Sequence, residues 1–512
     1  MSPLSQALAR GNGRLTPALF NQAKRRRIVA SDANDKFTAS LLANLKRKKM
    51  DCPSPDPPLL RKRKKAEGTN GMMYVMNPDG SLRHGKPHDS LWWVNYACMS
   101  KEDLTRRQLR KFRRRFRMPF EEWEKFVEVM NTHELFVTWR RGKRDCCKKL
   151  SSPIELLSLG ALRYLGRKCT FDDLEEWTFI SERTHERFFE KFIQYGATTL
   201  FDKYVLTPST PDEIKSHMKE MMEAGFPGGG GSTDATNVII INCRYGLRQI
   251  HLGHKLSKTA RGYNITVNHR RRILATTSGH PSRWNDKTIV LFDDFIVGLH
   301  DGCGLDDYIF FLLERDENGD IRKVEYHGVW VLVDNGYLAW SVTIPPYKYT
   351  NHLSEIRWSQ WLESMRKDVE CTFGILKSRW TILDKGVQAR KIENADQVWK
   401  TCCALHNMLL EIDGYDEIWE GAIPSDPDVG NSTCFAINRL NNPLQFPRPE
   451  VAPEETNIDD VMSGYDDSGT TPRIVRDLNQ DFFRKRLVEH FDILFEQHKI
   501  VWPSRVRIPR SV

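Results

Sequence analysis

The chain of 512 residues is short of several things. It has no run of about 18 apolar residues, so nothing in it reads as a membrane span. Its opening stretch, MSPLSQALAR, holds no secretory hydrophobic segment, which argues against export. The 11 cysteines show no C-x2-C pair repeated or followed by paired histidines; Cys146-Cys147 and Cys402-Cys403 are only adjacent. Adjacent pairs rarely serve as zinc knuckles, and a reducing compartment with mostly buried free thiols is the expectation.

Acid is scarce in one place. Residues 1–70 hold 16 Lys/Arg against 5 Asp/Glu, whereas the remaining 61 basic and 62 acidic residues nearly cancel. The net charge of +10 therefore belongs to a tail. Its clusters are Lys24–Arg27, Lys46–Lys49 and Arg61–Lys65, separated by Pro-rich and polar sequence. Disorder, nuclear import and phosphate contact suit such a segment. A merely solubilising arm is the plainer alternative.

Beyond the tail the sequence has an ordinary globular character, and the whole chain is 40% hydrophobic and 28% charged. Leu109, Phe112 and Phe116 fall at helical spacing, and Phe120, Trp123 and Phe126 resume after Pro119. Eight Lys/Arg from Arg106 to Arg117 meet no acid. Arg113, Arg114 and Arg115 among them could lie along a DNA backbone, or form a solvated face answered by the EEWE at 121–124. Residues 151–193 read as three short helices: one opened by Pro153 and closed at Gly166, one over Phe171–Trp177, and one capped by Ser181 with Phe188, Phe189 and Phe192 inward. This fits a helix-turn-helix-like unit. Arg183 and Arg187 could touch DNA from the last helix, but Glu182, Glu186 and Glu190 share it, which weighs toward a scaffold.

AGFPGGGG, 224–231, reads as a hinge into a new domain. Beyond it, strand-rich segments such as GSTDATNVIIINCRYG, YNITVNHRRRILATTSG and GVWVLVDNGY alternate with helical ones, which predicts an α/β domain with a mixed sheet. The domains expected are a basic tail over 1–88, an all-helical domain over 89–222, the mixed-sheet domain over 223–422, a loose linker over 423–475, and a terminal helix with a basic tail over 476–512. Residues 303–326 read as an inserted hairpin or loop.

The strand Val329–Val333 is apolar throughout, yet Asp334 stands at its tip before Asn335-Gly336 turns the chain. Open α/β sheets bind ligands at such strand ends. Glu370 comes 36 positions later and Asp234 precedes by 100. Trp358, Trp361, Leu362, Met365, Val369, Phe373, Leu376 and Trp380 form one buried stripe of a long helix. Arg366, Glu370, Gly374 and Lys377 form a second stripe beside it. Two strand carboxylates and a helix carboxylate could hold two divalent ions roughly 4 Å apart, and oxygen ligation suits Mg²⁺ or Mn²⁺. Asp286, in RWNDKTIV, is a rival acid that could instead cap a helix. His406-Asn407, inside an apolar stretch, reads as a satisfied core pair.

The order Asp234, Asp334 in LVDNGY and Glu370 in MRKDVECTFGILKSRW resembles the DDE transposases of the PIF/Harbinger superfamily. CCALHNML, GFPGGGGSTDAT and PIELLSLGALRYLGR add to the resemblance, which covers about 150–415. It implies an RNase H-like fold with Asp234 on the first strand, Asp334 after the fourth and Glu370 on a later helix. It also implies metal-assisted cleavage of DNA by these three residues, with Arg366 and Lys377 against phosphate. Terminal inverted repeats and target DNA would be the substrates, a Myb-like protein a partner, and self-association an open question. The alternatives are a domesticated nuclear DNA-binding scaffold and a nuclease for RNA or RNA–DNA hybrids.

Overall fold

Thirteen residues, Gly229–Ile241, form the strand around which the sheet is arranged. The computed structural model describes residues 74–415, apart from 78–80, 145–147, 149, 254–257 and 390, together with Tyr465 and 471–503. The basic clusters before residue 70, Cys146-Cys147, nearly all of the expected loose linker and the final basic residues lie outside the described residues.

Helices come first. They are α1 (Arg106–Phe116), α2 (Phe120–Thr132), α3 (Ile154–Arg167), α4 (Phe171–Thr178), α5 (Glu182–Tyr195) and α6 (Pro211–Glu223). Thr105, Thr170 and Thr210 cap α1, α4 and α6, each accepting from the amide three residues on. Ser181 begins α5 without making that bond; its hydroxyl faces Thr184 Oγ1 at 2.9 Å instead.

The strands that position the site are β1 (Gly229–Ile241), β2 (Ala260–Val267), β3 (Ile273–Thr276), β4 (Ile309–Arg315), β5 (Ile321–His327), β6 (Trp330–Leu332) and β7 (Thr343–Ile344). The main sheet has seven strands: five in the order β3-β2-β1-β6-β7, with the short strands His280–Pro281 and Val387–Gln388 paired on β2 and β1. The first three pair antiparallel and the last two join in parallel. This is a mixed α/β sheet. β4 and β5 are an antiparallel hairpin outside it, so the hairpin expected within residues 303–326 is present. The later helices are α7 (Asp294–Asp301), α8 (Leu353–Arg379), α9 (Ile392–Ile412) and α10 (Gln480–Glu496).

The glycine run departs from expectation. It is no hinge: Gly229, Gly230 and Gly231 are buried residues of β1 itself. A Cβ on Gly230 would stand 2.5 Å from Val329 Cγ1 and 3.2 Å from Ile214 Cδ1. Gly231 adopts φ +151, and a Cβ there would meet the Val267 carbonyl at 2.6 Å. Without side chains, β1 slips between α6 and the chain entering β6. Glycine composition alone does not separate close packing from flexibility.

Two apolar cores flank this arrangement. One joins α1–α5 to Tyr263, Ile265 and Val267 of β2 and to α9. The other joins α6, the β4–β5 hairpin, β6 and α10. Helix α8 spans both, with Trp358, Trp361, Leu362 and Met365 in the second and Val369, Phe373, Leu376 and Trp380 in the first. Each large side chain buried there contributes roughly 2–3 kcal/mol of transfer free energy, which fixes the rotation of α8 about its axis.

His406 and Asn407 are fully buried on α9. Asn407 accepts from the Ile273 amide at 3.0 Å and donates to the Ile273 carbonyl at 2.8 Å. His406 Nε2 stands 2.9 Å from the Arg271 carbonyl. The pair clamps the turn between β2 and β3, as a satisfied core pair should.

Candidate active site

The parallel register of β1 and β6 sets Ser232 opposite Leu332. Two residues further along each chain come Asp234 and Asp334. Side chains two apart share a face of a strand, so the sheet itself brings these carboxylates to one edge. Asp234 is thus inside β1, not at its start, and is kept there by the buried packing of the glycines before it.

Asp334 terminates the β6 segment in a tight turn, its Oδ1 accepting from the Gly336 amide at 2.7 Å. The turn-forming reading of DNG is correct as far as it goes. Asp286 reaches the same turn: a Cβ on Gly336 would lie 2.8 Å from Asp334 Oδ1 and 3.0 Å from Asp286 Oδ2. Asp286 is not the helix cap it could have been. Asn285 takes that position and accepts from the Thr288 amide at 3.0 Å.

Tyr337 anchors the turn from beneath. Its hydroxyl donates to Asn264 Oδ1 at 2.6 Å, and Asn264 Nδ2 donates to Asp293 Oδ2 at 2.6 Å. Asp293 in turn caps α7, accepting from Phe295 and Ile296 at 3.1 Å each. Burial raises the Asp293 carboxyl against these hydrogen bonds. Sequence reasoning missed this relay. Its members are scattered over 73 positions, and only the Tyr in LVDNGY could have hinted at it.

Helix α8 supplies the third acid. Three contacts hold it against the sheet: Ser232 Oγ donates to the Met365 carbonyl at 3.3 Å, Lys377 Nζ donates to Thr236 Oγ1 at 2.9 Å, and the buried His269 Nδ1 lies 2.7 Å from Asp368 Oδ2. Arg366 then bridges the acids. Its Nη2 donates to Glu370 Oε1 at 3.0 Å, its Nε donates to Glu363 Oε2 at 3.1 Å, and its Nη1 lies 3.6 Å from Asp234 Oδ2. Asp234 and Glu370 therefore meet through one guanidinium. Among the described residues no three His, Cys, Asp or Glu side chains lie close enough to share an ion; here a cationic side chain stands between the acids.

The electrostatics match that arrangement. Burial pushes the Asp234 carboxyl up to about 6, with Asp334 and Asp286 adding to the rise, while the Ala235 amide and Arg366 oppose it. Burial lowers the Lys377 ammonium. Arg366, although desolvated, is raised by Glu363, Glu370 and Asp234 together.

The arginines expected at nucleic acid fall into different surroundings. Arg113 donates to both oxygens of Asp413 at 2.6 and 2.7 Å and is mostly buried. Arg115 donates to the Tyr96 hydroxyl at 2.7 Å. Arg183 is paired with Glu186 on its own helix. Arg114 and Arg187 are exposed.

Residues 234–407 match the family described as DDE superfamily endonuclease. The matched segment begins at Asp234, contains Asp334 and Glu370, and ends at Asn407 of the buried pair. It supports a DDE transposase-like nuclease in the mixed-sheet part of the chain. Endonucleases of this superfamily generally use divalent metal ions and act on DNA. No curated protein and no solved structure matches the chain.

Proposed function

We propose that the chain is a metal-dependent DNA transposase, or a nuclease derived from one, of the PIF/Harbinger type, with an RNase H-like catalytic domain. The single observation that supports this reading is the placement of Asp234 and Asp334 two residues beyond the paired Ser232 and Leu332, with Glu370 tied to Asp234 through Arg366, inside the segment that matches DDE endonucleases. The strand order, three antiparallel and then two parallel, supports the fold assignment.

The donor chemistry suits divalent ions, which would take the place of Arg366 between the acids. The donors are all carboxylate oxygens, the set that hard cations take. Asp234 is desolvated beside two further acids and is short of positive charge, which Arg366 alone makes good. Asp234, Asp334 and Glu370 would hold the ions. When bound, the ions supply activation of water or of a DNA 3′-hydroxyl and neutralise charge at the leaving oxygen. The chain's own residues do the rest. Tyr337, through Asn264 and Asp293, fixes the Asp334 turn. Arg366 neutralises Asp234 and Glu370 in the metal-free protein. Lys377, on the same side of α8 and bonded to Thr236, adds a positive charge where phosphate would lie.

The basic clusters before residue 70 would direct the protein to the nucleus and add affinity for DNA. Terminal inverted repeats, target DNA, a Myb-like partner and self-association belong to the same reading.

The test is Mg²⁺-dependent nicking of duplex DNA by wild type, Asp334→Ala and Glu370→Gln. Wild type should nick. Both variants should fall by at least about 10³-fold with duplex binding nearly intact. Unchanged nicking by Asp334→Ala removes Asp334 from the site. Binding without any cleavage by wild type, even with inverted repeats supplied, favours a DNA-binding scaffold. Preferential cleavage of RNA–DNA hybrid favours a nuclease of that class.

A further inference from the structure

A second charged feature stands apart from the acids. The C-terminal ends of α1 and α3 meet, and four arginines collect there. Arg163 Nη1 donates to the Arg115 carbonyl at 3.3 Å and Arg167 Nη2 to the Arg114 carbonyl at 3.5 Å. Arg117 turns out of α1 with φ 64 and lies across Gly166, where a Cβ would stand 2.9 Å from Arg117 Cγ. The Arg163 guanidinium sits 5.4 Å from the Trp177 ring centre. Arg114 and Arg167 are exposed at the rim.

Capping the last carbonyls of α1 explains two of these side chains in part. It does not explain four. Among the described residues no carboxylate forms an ion pair with Arg114, Arg117, Arg163 or Arg167, and the buried Nε atoms of Arg117 and Arg163 have no hydrogen-bond partner. Burial and then the neighbouring Arg167, Arg163 and Arg114 lower Arg117 to about 10. Like charges so close, with no acid to answer them, make a site for an anion. Planar guanidinium groups with free N–H edges match phosphate oxygens.

The location selects the anion. Thr381 Oγ1 donates to the Gly166 carbonyl at 2.9 Å, and the Arg379 carbonyl lies 3.8 Å from the Gly166 Cβ position. The cluster therefore abuts the C-terminal end of α8. Glu370 lies nine residues back along that helix, an axial rise of about 14 Å at 1.5 Å per residue, and on the opposite side of it, so that rise is the least distance between them. One DNA strand advances about 3.4 Å per phosphate, so roughly four phosphates span that length.

We propose that Arg114, Arg117, Arg163 and Arg167 form a phosphate clamp for the backbone of duplex DNA flanking the cleavage position. This rests on the nuclease reading above and adds a binding site to it.

The experiment uses the full chain and a fluorescent duplex of random sequence, with affinity measured from about 50 to 200 mM salt. Each phosphate contact contributes about 0.9 to the slope of log affinity against log salt. The double variant Arg114→Gln/Arg167→Gln should lower the slope magnitude by about 2, and the matching Lys double variant should largely restore it. Thermal unfolding of the Gln variant should equal wild type, because neither side chain is buried. An unchanged slope overturns the clamp while leaving the nuclease reading to its own cleavage test. A slope change seen with single-stranded RNA but not with duplex DNA overturns the assignment to DNA. A wild type that binds no duplex overturns both. A binding wild type that never cleaves sinks only the nuclease reading, and the slope still decides the clamp.

Discussion

Mild acid should destabilise this protein before any carboxylate of the usual kind is titrated. His185, His406 and His490 are buried, and burial lowers each to about 3. The hydrogen bonding agrees. His490 Nδ1 accepts from the Leu313 amide at 2.9 Å, so that nitrogen must carry no proton. His406 Nδ1 faces the Arg379 guanidinium at 3.4 Å. In the unfolded chain an imidazole takes up its proton near about pH 6.5. The folded value lies below the unfolded one, so stability is intact above about pH 6.5 and falls as the pH drops toward the folded values. At about pH 5.5 each histidine costs about 1.4 kcal/mol, and the three together about 4 kcal/mol. Asp234 works in the opposite sense. Its folded value is raised to about 6, so it gains a proton in the fold first and returns about 1 kcal/mol at the same pH. These four groups together cost about 3 kcal/mol, a large share of the roughly 5–15 kcal/mol of a typical domain, and His251 and His280, which burial lowers to about 4, add in the same direction. Urea unfolding monitored by tryptophan fluorescence, with chelator present, between about pH 7.5 and 5.5 measures it. A stability that stays flat over that interval, or rises, would refute the placement of these three imidazoles. Replacing His490 with Gln should remove about 1 kcal/mol of the pH-dependent part.

Two glycines give sharper perturbations. Gly336→Ala places a methyl 2.8 Å from Asp334 Oδ1 and 3.0 Å from Asp286 Oδ2; the carboxylates must move, and nicking should fall by about 10²-fold with the unfolding midpoint nearly unchanged. Full activity would mean that the turn geometry is irrelevant to the chemistry. Gly230→Ala drives a methyl to 2.5 Å from Val329 Cγ1 and should cost about 1–3 kcal/mol by overpacking, part of it recovered when Val329→Ala is added. A single variant as stable as wild type in urea would show that β1 is not wedged there.

The parts legible in the sequence are those where a periodicity reports directly on burial. The α8 stripe and the run Val329–Val333 are buried as their patterns demand. The final amphipathic helix spans Gln480–Glu496 with Phe483, Leu487, Phe491 and Leu494 inside. Its partner is not legible, because an apolar stripe does not name what it packs against. α10 lies on the inserted hairpin and on α8, with Arg357 donating to Asp492 at 2.6 Å. The entry to β1 misleads for the opposite reason. Burial there is achieved by backbone without side chains, and no hydropathy pattern records it. Arg113 shows a third limit: its long-range pairing with Asp413, 300 positions away, leaves no local trace in a run of basic residues.

Two independent geometric rules place the acids: one sets Asp234 beside Asp334, the other ties Glu370 to Asp234 through Arg366. Along the sheet, a bulge between Gly229 and Ser232 sets Ser232 opposite Leu332, and Asp234 and Asp334 each follow two residues later on strands that run the same way. Along α8, the four-residue step carries Arg366 to Glu370. The hydrogen bond from Ser232 Oγ to the Met365 carbonyl joins the two frames one residue before Arg366 and two before Asp234. A slip of one residue in either frame would turn a carboxylate away, and the apolar stripe of α8, divided between two cores, opposes such a slip in the helix. Arg366 sits where the frames cross, against Asp234, Glu363 and Glu370. At an effective dielectric of about 20, a unit charge pair about 4 Å apart is worth about 4 kcal/mol before desolvation. Because the guanidinium supplies that attraction, Asp234 and Glu370 are held on either side of Arg366 in the folded chain.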